Sequence, residues 1–371
     1  MKYYLIAGEA SGDLHGSRLI RAIQEQDSEA TFRAWGGDLM QEAGATLAMH
    51  YKSIAIMGLV DVLKNLGQIF KNISFCKKDI QEFNPDALIF IDFSGFNLRI
   101  APWAKKRGYT THYYIAPQVW ASRAKRVQKI KAHIDQLYVT LPFEPDFYEQ
   151  HQYPAHYVGH PLLEIMQEIP PLAADWLDRQ GLDSKKPIIA LLPGSRKQEI
   201  KAILPIMAAL SHRFTDYEFV LAAAPSIEAE YYDTFIGNAP IKRVFNQTYP
   251  LLQSASVALV ASGTATLETA LLGVPQIVCY KTQWLTYWVA KKIIKLPYIS
   301  LVNLILDSQG VPELIQSELN VGRLKHLLPG LVSGVERDAQ LKSYERLKNI
   351  IGPSGAAKKA AKLIVKHSLA S

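Results

Sequence analysis

The chain has 371 residues, of which 49% are hydrophobic and 20% are charged, and its formal net charge is +7. This composition excludes a disordered chain and a small disulfide-stabilised one, and the length suits two globular domains. The excess of Lys and Arg favours anionic partners, namely phosphates, nucleic acid or an anionic membrane surface.

Neither a secretion signal nor a membrane-spanning helix is predicted. The apolar start is short and is interrupted by Glu9, and no stretch approaches the roughly 20 apolar residues of a spanning helix. The two cysteines, Cys76 and Cys279, lie far apart and lack the spacing of a zinc site. We therefore expect a cytosolic protein in a reducing compartment, able to lie on a membrane surface.

Short β-like runs alternate with helical patterns in the first half of the chain. A strand is predicted over residues 2–7 and a helix over residues 16–26. Further strands are predicted at "PDALIFID" (85–92), "TTHYYIAP" (110–117), "QLYVT" (136–140) and "HYVGHP" (156–161). Near-continuous apolar strands separated by helices indicate a parallel sheet covered on both faces.

The same pattern restarts after a proline-rich break. The predicted strands there are "PIIALL" (187–192), "EFVLAAAP" (218–225), "VALVA" (257–261) and "PQIVCY" (275–280). The fold class is therefore α/β, with two doubly wound parallel-sheet domains joined near residues 161–185. We place the domains at 1–165 and 166–335, followed by a helical tail rich in Lys and Ala at 336–371 that either stays with the second domain or crosses back to the first.

Ligands of such sheets bind at the carboxyl ends of the strands, so the loops that follow strands are the candidate sites. The first of them, "AGEASGDLHG" (7–16), combines small residues with the reactive side chains of Glu9, Asp13 and His15. Its pattern fits a nucleotide cradle, a catalytic loop or a tight turn.

Two loops in the second half suit a nucleotide. In "LLPGSRKQEI" (191–200), Ser195 and Arg196 precede a helix, where backbone N–H groups and a guanidinium can bind phosphate oxygens. In "ASGTATLE" (261–268), small hydroxylated residues suit a helix start near a diphosphate, and Glu268 can accept from both ribose hydroxyls. Each loop alone also fits an ordinary turn; two in one domain favour the nucleotide.

Asp92 follows the strand in "IFIDFSGFN" (89–97), where a carboxylate can act as a general base or cap a helix. Two apolar or basic stretches, "IAIMGLVDVLKNLGQIF" (54–70) and "VWASRAKRVQKI" (119–130), suit packing or solvation as well as lipid. The candidate membrane or acyl contacts are Ile56, Met57, Leu59, Val60, Leu63, Trp120, Arg123 and Arg126. The stretch 283–305, with Trp284 and Trp288, raises the same question.

The motifs "AGEASGD", "MGLVDVL", "VWASRAKRVQKI", "LPFE", "LLPGSR", "ASGTATLE" and "SLVNLI" occur in the order found in lipid-A-disaccharide synthases. Over nearly its whole length the chain resembles that family. The resemblance implies a GT-B fold, in which two Rossmann-like domains face across a cleft, and an inverting glycosyltransferase. It implies transfer of 2,3-diacylglucosamine from UDP to the 6-hydroxyl of 2,3-diacylglucosamine 1-phosphate, giving the β-1,6 disaccharide precursor of lipid A and UDP. The work would occur at the cytosolic face of the inner membrane of Gram-negative bacteria, and a homodimer is compatible with it.

The resemblance also implies roles for individual residues. Asp92 would be the general base. The UDP-sugar would be bound by Ser195, Arg196, Ser262, Gly263, Thr264, Ala265, Glu268 and Asn303. The acceptor or the transferred sugar would be contacted by Glu9, Ser11, Gly12, Arg18 and Asn97. No cofactor and no metal are expected, since a DxD motif is absent from the sequence and Arg196 with helix N-termini can meet the charge of the leaving group.

Two positions depart from the family pattern. Gly95 stands where a second acidic residue is expected after Asp92, and Ser122 stands where a tryptophan is expected. The first departure removes a carboxylate that would assist the base, and the second removes an aromatic contact with lipid or acceptor.

Three other functions are weighed against this one. Another UDP-sugar enzyme of the same fold, such as a UDP-GlcNAc epimerase or a soluble-sugar transferase, would use the nucleotide loops but not the apolar helices. A nicotinamide-dependent oxidoreductase is disfavoured because residues 8–16 lack the G-x-G-x-x-G spacing. A nucleic-acid binder ranks last because the positive charge is spread without a recognised reading motif.

Overall fold

The structure is a computed structural model that describes residues 1–53, 66–122, 126–284, 287–288 and 296–369. It contains two compact units, each with one parallel sheet. The first unit comprises Met1–Glu164 and the C-terminal segment from Pro353, and the second comprises Ile165–Gly352.

The first unit is built on a seven-stranded parallel sheet with the strand order β3-β2-β1-β4-β5-β6-β7. These strands, in chain order, are Lys2–Ile6, Thr31–Gly36, Ala45–His50, Ala87–Ile91, Thr110–Tyr114, Gln136–Val139 and His156–Tyr157. Side chains of β1 alternate between two buried clusters, with Tyr3 and Leu5 in one and Tyr4 and Ile6 in the other. Both faces of the sheet are thus covered, as the continuous apolar runs predicted.

The described helices of the first unit fall between or after these strands. Numbered in chain order, α1 to α7 are Ala10–Gln24, Asp38–Glu42, Leu66–Phe83, Ser94–Lys106, Val119–Ser122, Arg126–His133 and Glu144–Glu149, and α8 (Leu162–Glu168) runs from the first unit into the second. The chain order of the strands reverses between β1 and β4, which are hydrogen-bonded with Ile6 opposite Phe90. Such a reversal leaves a crevice at the carboxyl ends of the two strands, where ligands of doubly wound sheets bind.

The second unit repeats the design with a six-stranded parallel sheet in the order β10-β9-β8-β11-β12-β13. Its strands, β8 to β13 in chain order, are Ile188–Leu192, Glu218–Ala223, Ile241–Phe245, Val257–Ala261, Gln276–Tyr280 and Glu313–Ile315. Its described helices, α9 to α16, are Trp176–Arg179, Lys197–Ser211, Ala229–Ile236, Thr248–Ser254, Thr264–Leu271, Leu301–Leu306, Val321–Val332 and Val335–Ile351. Here the order reverses between β8 and β11, where Leu192 lies opposite Val260.

The predicted fold class, two doubly wound parallel-sheet domains, is confirmed, but four strands were missed. They are β2, β3, β10 and β13. The sequence "IKRVF" of β10 carries Lys242 and Arg243 at an edge of the sheet, and β13 has only three residues. In β2, Arg33 interrupts the apolar run and is paired with the buried Asp79. Charged residues interrupt the apolar pattern in β2 and β10, and β13 is too short to show one.

The predicted C-terminal tail is divided between the units. Its first helix, α16, belongs to the second unit, whereas the last helix, α17 (Ala356–Leu369), packs on the first unit against α1. Ala357, Ala360, Ala361 and Ile364 are buried in the same cluster as β1. Within the described ranges, no helix combines the length and the apolar character needed to cross a bilayer.

Candidate functional site

In the first unit, Asp92 lies at the carboxyl end of β4, beside the reversal of strand order. Asp92 and Phe93 both adopt left-handed backbone conformations, with φ of 43° and 41°. Such a conformation costs free energy in residues other than glycine and persists only where the surroundings enforce it. The hydroxyl of Tyr113 (2.5 Å) and the side-chain amide of Asn97 (2.9 Å) both donate to the Asp92 carbonyl oxygen and hold the turn.

Asp92 is an exposed residue, but the surrounding protein partly desolvates its carboxyl group. This desolvation raises its pKa above the ordinary value, and the negative charge of Glu9 raises it further, against a hydrogen bond from the backbone of Phe93. A carboxylate with a raised pKa is a stronger base. The structure thus brings two of the predicted residues, Glu9 and Asp92, into electrostatic contact.

The position of Gly8, two residues after the end of β1, has no room for a side chain. A Cβ atom at Gly8 would overlap the ring of Phe93, so only glycine lets the two loops approach. This contact joins the loop after β1 to the left-handed turn after β4.

The predicted helix start at residue 16 is wrong, because α1 already begins at Ala10. Most of "AGEASGDLHG" is therefore helix rather than loop. Gly12, predicted to contact a sugar, is buried, and a Cβ there would lie 2.9 Å from the Cβ of Ala7. Asp13 is also buried and accepts hydrogen bonds from the backbone N–H groups of Gly37, Leu39 and Met40. In this structure both residues shape the helix and its neighbours, while Glu9 and Ser11 remain exposed.

Arg18 and Asn97 were predicted to contact the acceptor or sugar, and in the structure both make contacts within the protein. The Arg18 guanidinium lies 3.6 Å from Glu164, whose other oxygen accepts from the backbone N–H of Ala357 at the start of α17. The Asn97 side chain is fully buried. Its amide donates to the carbonyl groups of Ile6 and Ile91 as well as Asp92, so it ties the ends of β1 and β4 together.

In the second unit, the loop after β8 leads into α10 as predicted. Ser195 and Arg196 are exposed, and the Arg196 side chain has 81% exposure. The carboxylate of Glu199 accepts hydrogen bonds from the backbone N–H groups of both residues and pairs with the guanidinium at 3.0 Å. Glu199 therefore occupies the donors that the sequence assigned to phosphate. Gly194, with φ of 109°, leaves room for this carboxylate.

The loop after β11 presents a different helix start. Gly263 and Thr264 are exposed at the N-terminus of α13, and Gly263 has no side chain to cap it. The Ser262 hydroxyl donates instead to the carbonyl of Ile299 at 2.9 Å. The N–H groups of the first turn of a helix attract anions, so this start suits a diphosphate.

Glu268 lies on the same helix and is paired with a residue that sequence reasoning missed. The hydroxyl of Tyr249 donates to Oε1 of Glu268 at 2.9 Å. Burial raises the pKa of Glu268, and the bond from Tyr249 opposes the rise. Tyr249 is the second residue of α12, the helix after β10, and β10 is an edge strand that the sequence did not reveal.

Asn303, predicted to contact the donor, is fully buried and its amide is used within the protein. Its nitrogen donates to the carbonyl of Val311 and to Glu313, and its oxygen accepts from the N–H groups of Gly310 and Val311. With two donated and two accepted bonds, this amide has no remaining capacity for a ligand. We revise its role to support of the loop that ends at β13.

Most of the predicted lipid contacts lie outside the described residues, namely Ile56, Met57, Leu59, Val60, Leu63 and Arg123. Of the others, Trp120 and Arg126 are half-buried in the first unit. The Trp120 indole N–H donates to the carboxylate of Glu144 at 3.1 Å. Phe70 is 64% exposed on α3, and Trp284 in the second unit is 73% exposed.

Gly95, the second residue of α4, departs from the family pattern without a packing reason. It is exposed, and a Cβ atom built there would meet nothing within 4 Å. Ser122, the second departure, is the last residue of α5.

Comparison with known proteins covers nearly the whole chain. The family model described as lipid-A-disaccharide synthetase matches residues 3–364. A lipid-A-disaccharide synthase of Trichlorobacter lovleyi is 36% identical, with 97% of this chain and 96% of that protein covered. Another of Syntrophus aciditrophicus is 37% identical, with coverage of 96% and 95%.

Solved structures agree on the fold. A UDP-GlcNAc 2-epimerase from Neisseria meningitidis, bound to UDP-GlcNAc, superposes with a TM-score of 0.68 at 12% identity and full coverage of both chains. The glycotransferase of kitacinnamycin superposes with a TM-score of 0.64 at 14% identity and 99% coverage of each. At these identities the likeness concerns architecture alone. The similarity in sequence shows the family as well as the fold: the chain belongs to the lipid-A-disaccharide synthetase family of hexosyltransferases.

Proposed function

We propose that this protein transfers 2,3-diacylglucosamine from its UDP derivative to the 6-hydroxyl of 2,3-diacylglucosamine 1-phosphate, with inversion and with Asp92 as the general base. The acceptor oxygen attacks the anomeric carbon, the bond from that carbon to the UDP oxygen breaks, and the Asp92 carboxylate takes the hydroxyl proton. The products are the β-1,6 disaccharide 1-phosphate and UDP.

The observation that carries this proposal is the environment of Asp92. Its carboxylate follows β4 at the reversal of strand order, its backbone is held in a left-handed turn, and its pKa is raised by desolvation and by Glu9. A general base works best when its pKa approaches the operating pH and when its geometry is fixed. Family membership supplies the reaction in which such a base is needed.

The second unit supplies the groups that suit UDP. The exposed start of α13 and the guanidinium of Arg196 would stabilise the negative charge that develops on the departing diphosphate. Binding of the diphosphate at "PGSR" requires Arg196 to exchange Glu199 for phosphate oxygens. Glu268, oriented by Tyr249, would accept from the ribose hydroxyls.

In the first unit, the exposed side chains near Asp92 suit a sugar acceptor. Glu9 and Ser11 present oxygens that can accept from or donate to sugar hydroxyls. Arg18 pairs with Glu164, and Asn97 donates hydrogen bonds to the ends of β1 and β4, so we propose that both residues stabilise this region. We therefore assign acceptor contact to Glu9 and Ser11 and leave the other two as supports.

Both sugars carry acyl chains, so we further propose that the protein works on the cytosolic face of the inner membrane. Exposed aromatic side chains, among them Phe70, Trp284 and Trp288, together with the net charge of +7, suit an anionic lipid surface. Flotation with liposomes containing anionic lipids tests this part: co-flotation supports it, and a protein that stays at the bottom contradicts it.

The reaction itself is tested with both acylated sugars. The proposal predicts UDP release in equal amount to a disaccharide 1-phosphate detected by mass spectrometry. A UDP-sugar epimerase would instead change the configuration of the sugar with no need of an acceptor. UDP release without disaccharide, or epimerisation of UDP-GlcNAc, would overturn the proposal.

A further inference from the structure

Two neighbouring histidines of the first unit have no role in the reaction proposed above. His15 lies in the second turn of α1, and His160 follows shortly after β7. Both are half-buried, and burial lowers the pKa of His15 to about 4. Burial, followed by the charge of His15, lowers the pKa of His160 to about 4, so the two rings lie near enough to interact. At neutral pH both are uncharged imidazoles.

The two rings have hydrogen-bonding capacity that the protein does not use. Nδ1 of His15 is buried and makes no hydrogen bond to any residue in the described ranges. A buried polar atom without a partner is rare in folded proteins and calls for an explanation. Nδ1 of His160 accepts from the backbone N–H of Leu162 at 3.2 Å, which places the proton of the neutral ring on Nε2 as a donor.

Helix α1 connects His15 to the acceptor contact proposed at Ser11. Ser11, His15 and Arg18 are spaced by four and three positions, so they lie along one face of the helix, where such neighbours have Cβ atoms about 6 Å apart. Exposure decreases along this face: Ser11 is exposed, His15 is half-buried and the Arg18 side chain is 13% exposed. A sugar bound at Ser11 would therefore have His15 beside it, one helical turn further into the protein.

Close packing of α1 fixes the position of this face. Gly12 and Gly16 lie on the buried side of the helix. A Cβ atom at Gly12 would lie 2.9 Å from the Cβ of Ala7, and one at Gly16 would lie 2.6 Å from the sulfur of Met40. Because the helix cannot shift without creating a gap or an overlap, His15 is held in place before any ligand binds, which favours affinity.

The groups around the two histidines favour an anion as the ligand. The guanidinium of Arg18 adds to the effect of burial on the pKa of His15, so its positive charge is felt at that ring. Its partner Glu164 lies 3.6 Å away, and the other oxygen of Glu164 accepts from the backbone N–H of Ala357 at 3.0 Å. Both oxygens of this carboxylate thus have donors of their own. An anion would supply the acceptors that the imidazole N–H groups lack.

We propose that His15 and His160 bind the phosphate group of the acceptor sugar, each donating one N–H to a phosphate oxygen, with the charge of Arg18 in support. The assignment rests on the proposed function, in which the acceptor carries a phosphate and contacts Ser11. That function assigns no other residue to the phosphate. The pair would therefore distinguish a sugar phosphate monoester from the same sugar without phosphate.

Two single substitutions remove the proposed donors. His15→Leu removes both ring nitrogens and keeps an apolar side chain of similar size. His160→Asn keeps an oxygen where Nδ1 accepts from Leu162 and removes the donor at Nε2. His326→Gln, at an exposed position on α15 of the second unit, is the matched control.

The first readout is NMR of the full-length protein with labelled histidine, in which the two variants assign His15 and His160 among ten histidines. We expect glucosamine 1-phosphate to shift both signals and to raise the pKa of both rings from about 4, because a phosphate favours the charged imidazolium. The other titratable or charged groups at the cluster are Arg18, Glu164 and Tyr114. Glucosamine and UDP should leave both signals unchanged. No response to glucosamine 1-phosphate, or an equal response to glucosamine or UDP, would overturn the assignment whatever reaction the protein catalyses.

The second readout is steady-state transfer with two acceptors. Loss of a hydrogen bond to a charged group is worth about a tenfold change, so each variant should raise the KM for the acceptor phosphate about tenfold with the donor KM unchanged. With 2,3-diacylglucosamine, which lacks the phosphate, the wild type, both variants and the control should have the same acceptor KM. If His15→Leu fails to fold, His160→Asn carries the test. An equal loss with both acceptors refutes the phosphate assignment alone, whereas a wild type without transfer refutes the proposed function.

Discussion

The two units use the same structural position in opposite ways. In each sheet the order of strands reverses once, and the candidate residues follow the two strands at that reversal. Around Asp92 the backbone is held in a left-handed turn and the carboxyl is partly desolvated. Around Ser195 and Gly263 the helix starts are exposed to solvent. Proton transfer favours a base that is fixed and partly desolvated, whereas phosphate binding favours accessible donors, so this difference supports the proposal that the first unit carries the base and the second binds the nucleotide.

The largest effect is expected from Asp92→Asn, which removes the base without changing the size of the side chain. We predict that kcat falls by about 10²–10⁴-fold, the usual range for general-base catalysis. Steady-state assays of UDP release measure it. Asp146→Asn, an exposed substitution on α7, should behave as the wild type. Full activity of Asp92→Asn would show that Asp92 is not the general base.

A smaller effect is expected from Arg196→Ala in the second unit. Hydrogen bonds to charged groups contribute about 1.5–3 kcal/mol, so the donor KM should rise about 10- to 100-fold with the acceptor KM unchanged. Arg196→Lys should recover part of the loss, because a lysine keeps the charge but not the planar fork. A change in the acceptor KM instead would place this arginine on the other substrate.

Asn303→Ala distinguishes a buried support from a ligand contact. Because the amide is fully used inside the protein, the substitution should lower the free energy of unfolding by about 1–3 kcal/mol per unsatisfied group. Thermal denaturation measures the loss, and the donor KM at a temperature where the variant is folded should stay near the wild-type value. An unchanged Tm with a raised donor KM would restore the original prediction.

Lowering the pH should decrease the stability of the first unit more than that of the second. His112 is buried and hydrogen-bonded to Tyr138 and to Ser368 of α17, and Tyr138 also contacts His367. Burial lowers the pKa of His112 to about 3, with a further contribution from His367, whose own pKa is lowered by burial. As the pH falls below about 6.5, the ordinary pKa of a histidine, His112 and His367 become protonated in the unfolded chain before they do in the folded protein. The free energy of unfolding therefore decreases by about 1.4 kcal/mol per pH unit for one histidine.

Hydrogen exchange, corrected for the intrinsic effect of pH, measures this difference. Between pH 7 and pH 5, protection of α17 should decrease more than protection of β8 and β11 in the second unit. Equal loss of protection in both units would show that the histidines around α17 do not cause the decrease in protection at low pH.

Sequence patterns were sufficient for the strands with continuous apolar runs and for the loops that follow them, but not for β2, β3, β10 and β13. Apolar runs such as those of β4, β8 and β11 have few interpretations, and carboxyl ends of parallel strands are where ligands bind. The same patterns could not show which polar residues turn inward. Asn97 and Asn303 look like ligand contacts until their amides are seen to bind backbone groups inside the fold.

The residues that the sequence analysis missed are of two kinds, those with a local sequence signal and those without one. Glu199 had a local signal, since a glutamate at the third position of a helix commonly caps the residues before it. Tyr249 and Glu144 had none, because their partners Glu268 and Trp120 lie 19 and 24 positions away in sequence. Contacts of that separation depend on the packing of whole elements, which local propensity does not encode.

The division of labour between the two units is tested most directly by one pair of values measured on the same preparation of Asp92→Asn: the single-turnover rate of disaccharide formation and the dissociation constant of UDP. We predict that the rate falls at least 100-fold while the UDP dissociation constant stays within about twofold of the wild-type value. A rate that is unchanged, or a UDP affinity that falls along with the rate, would contradict it.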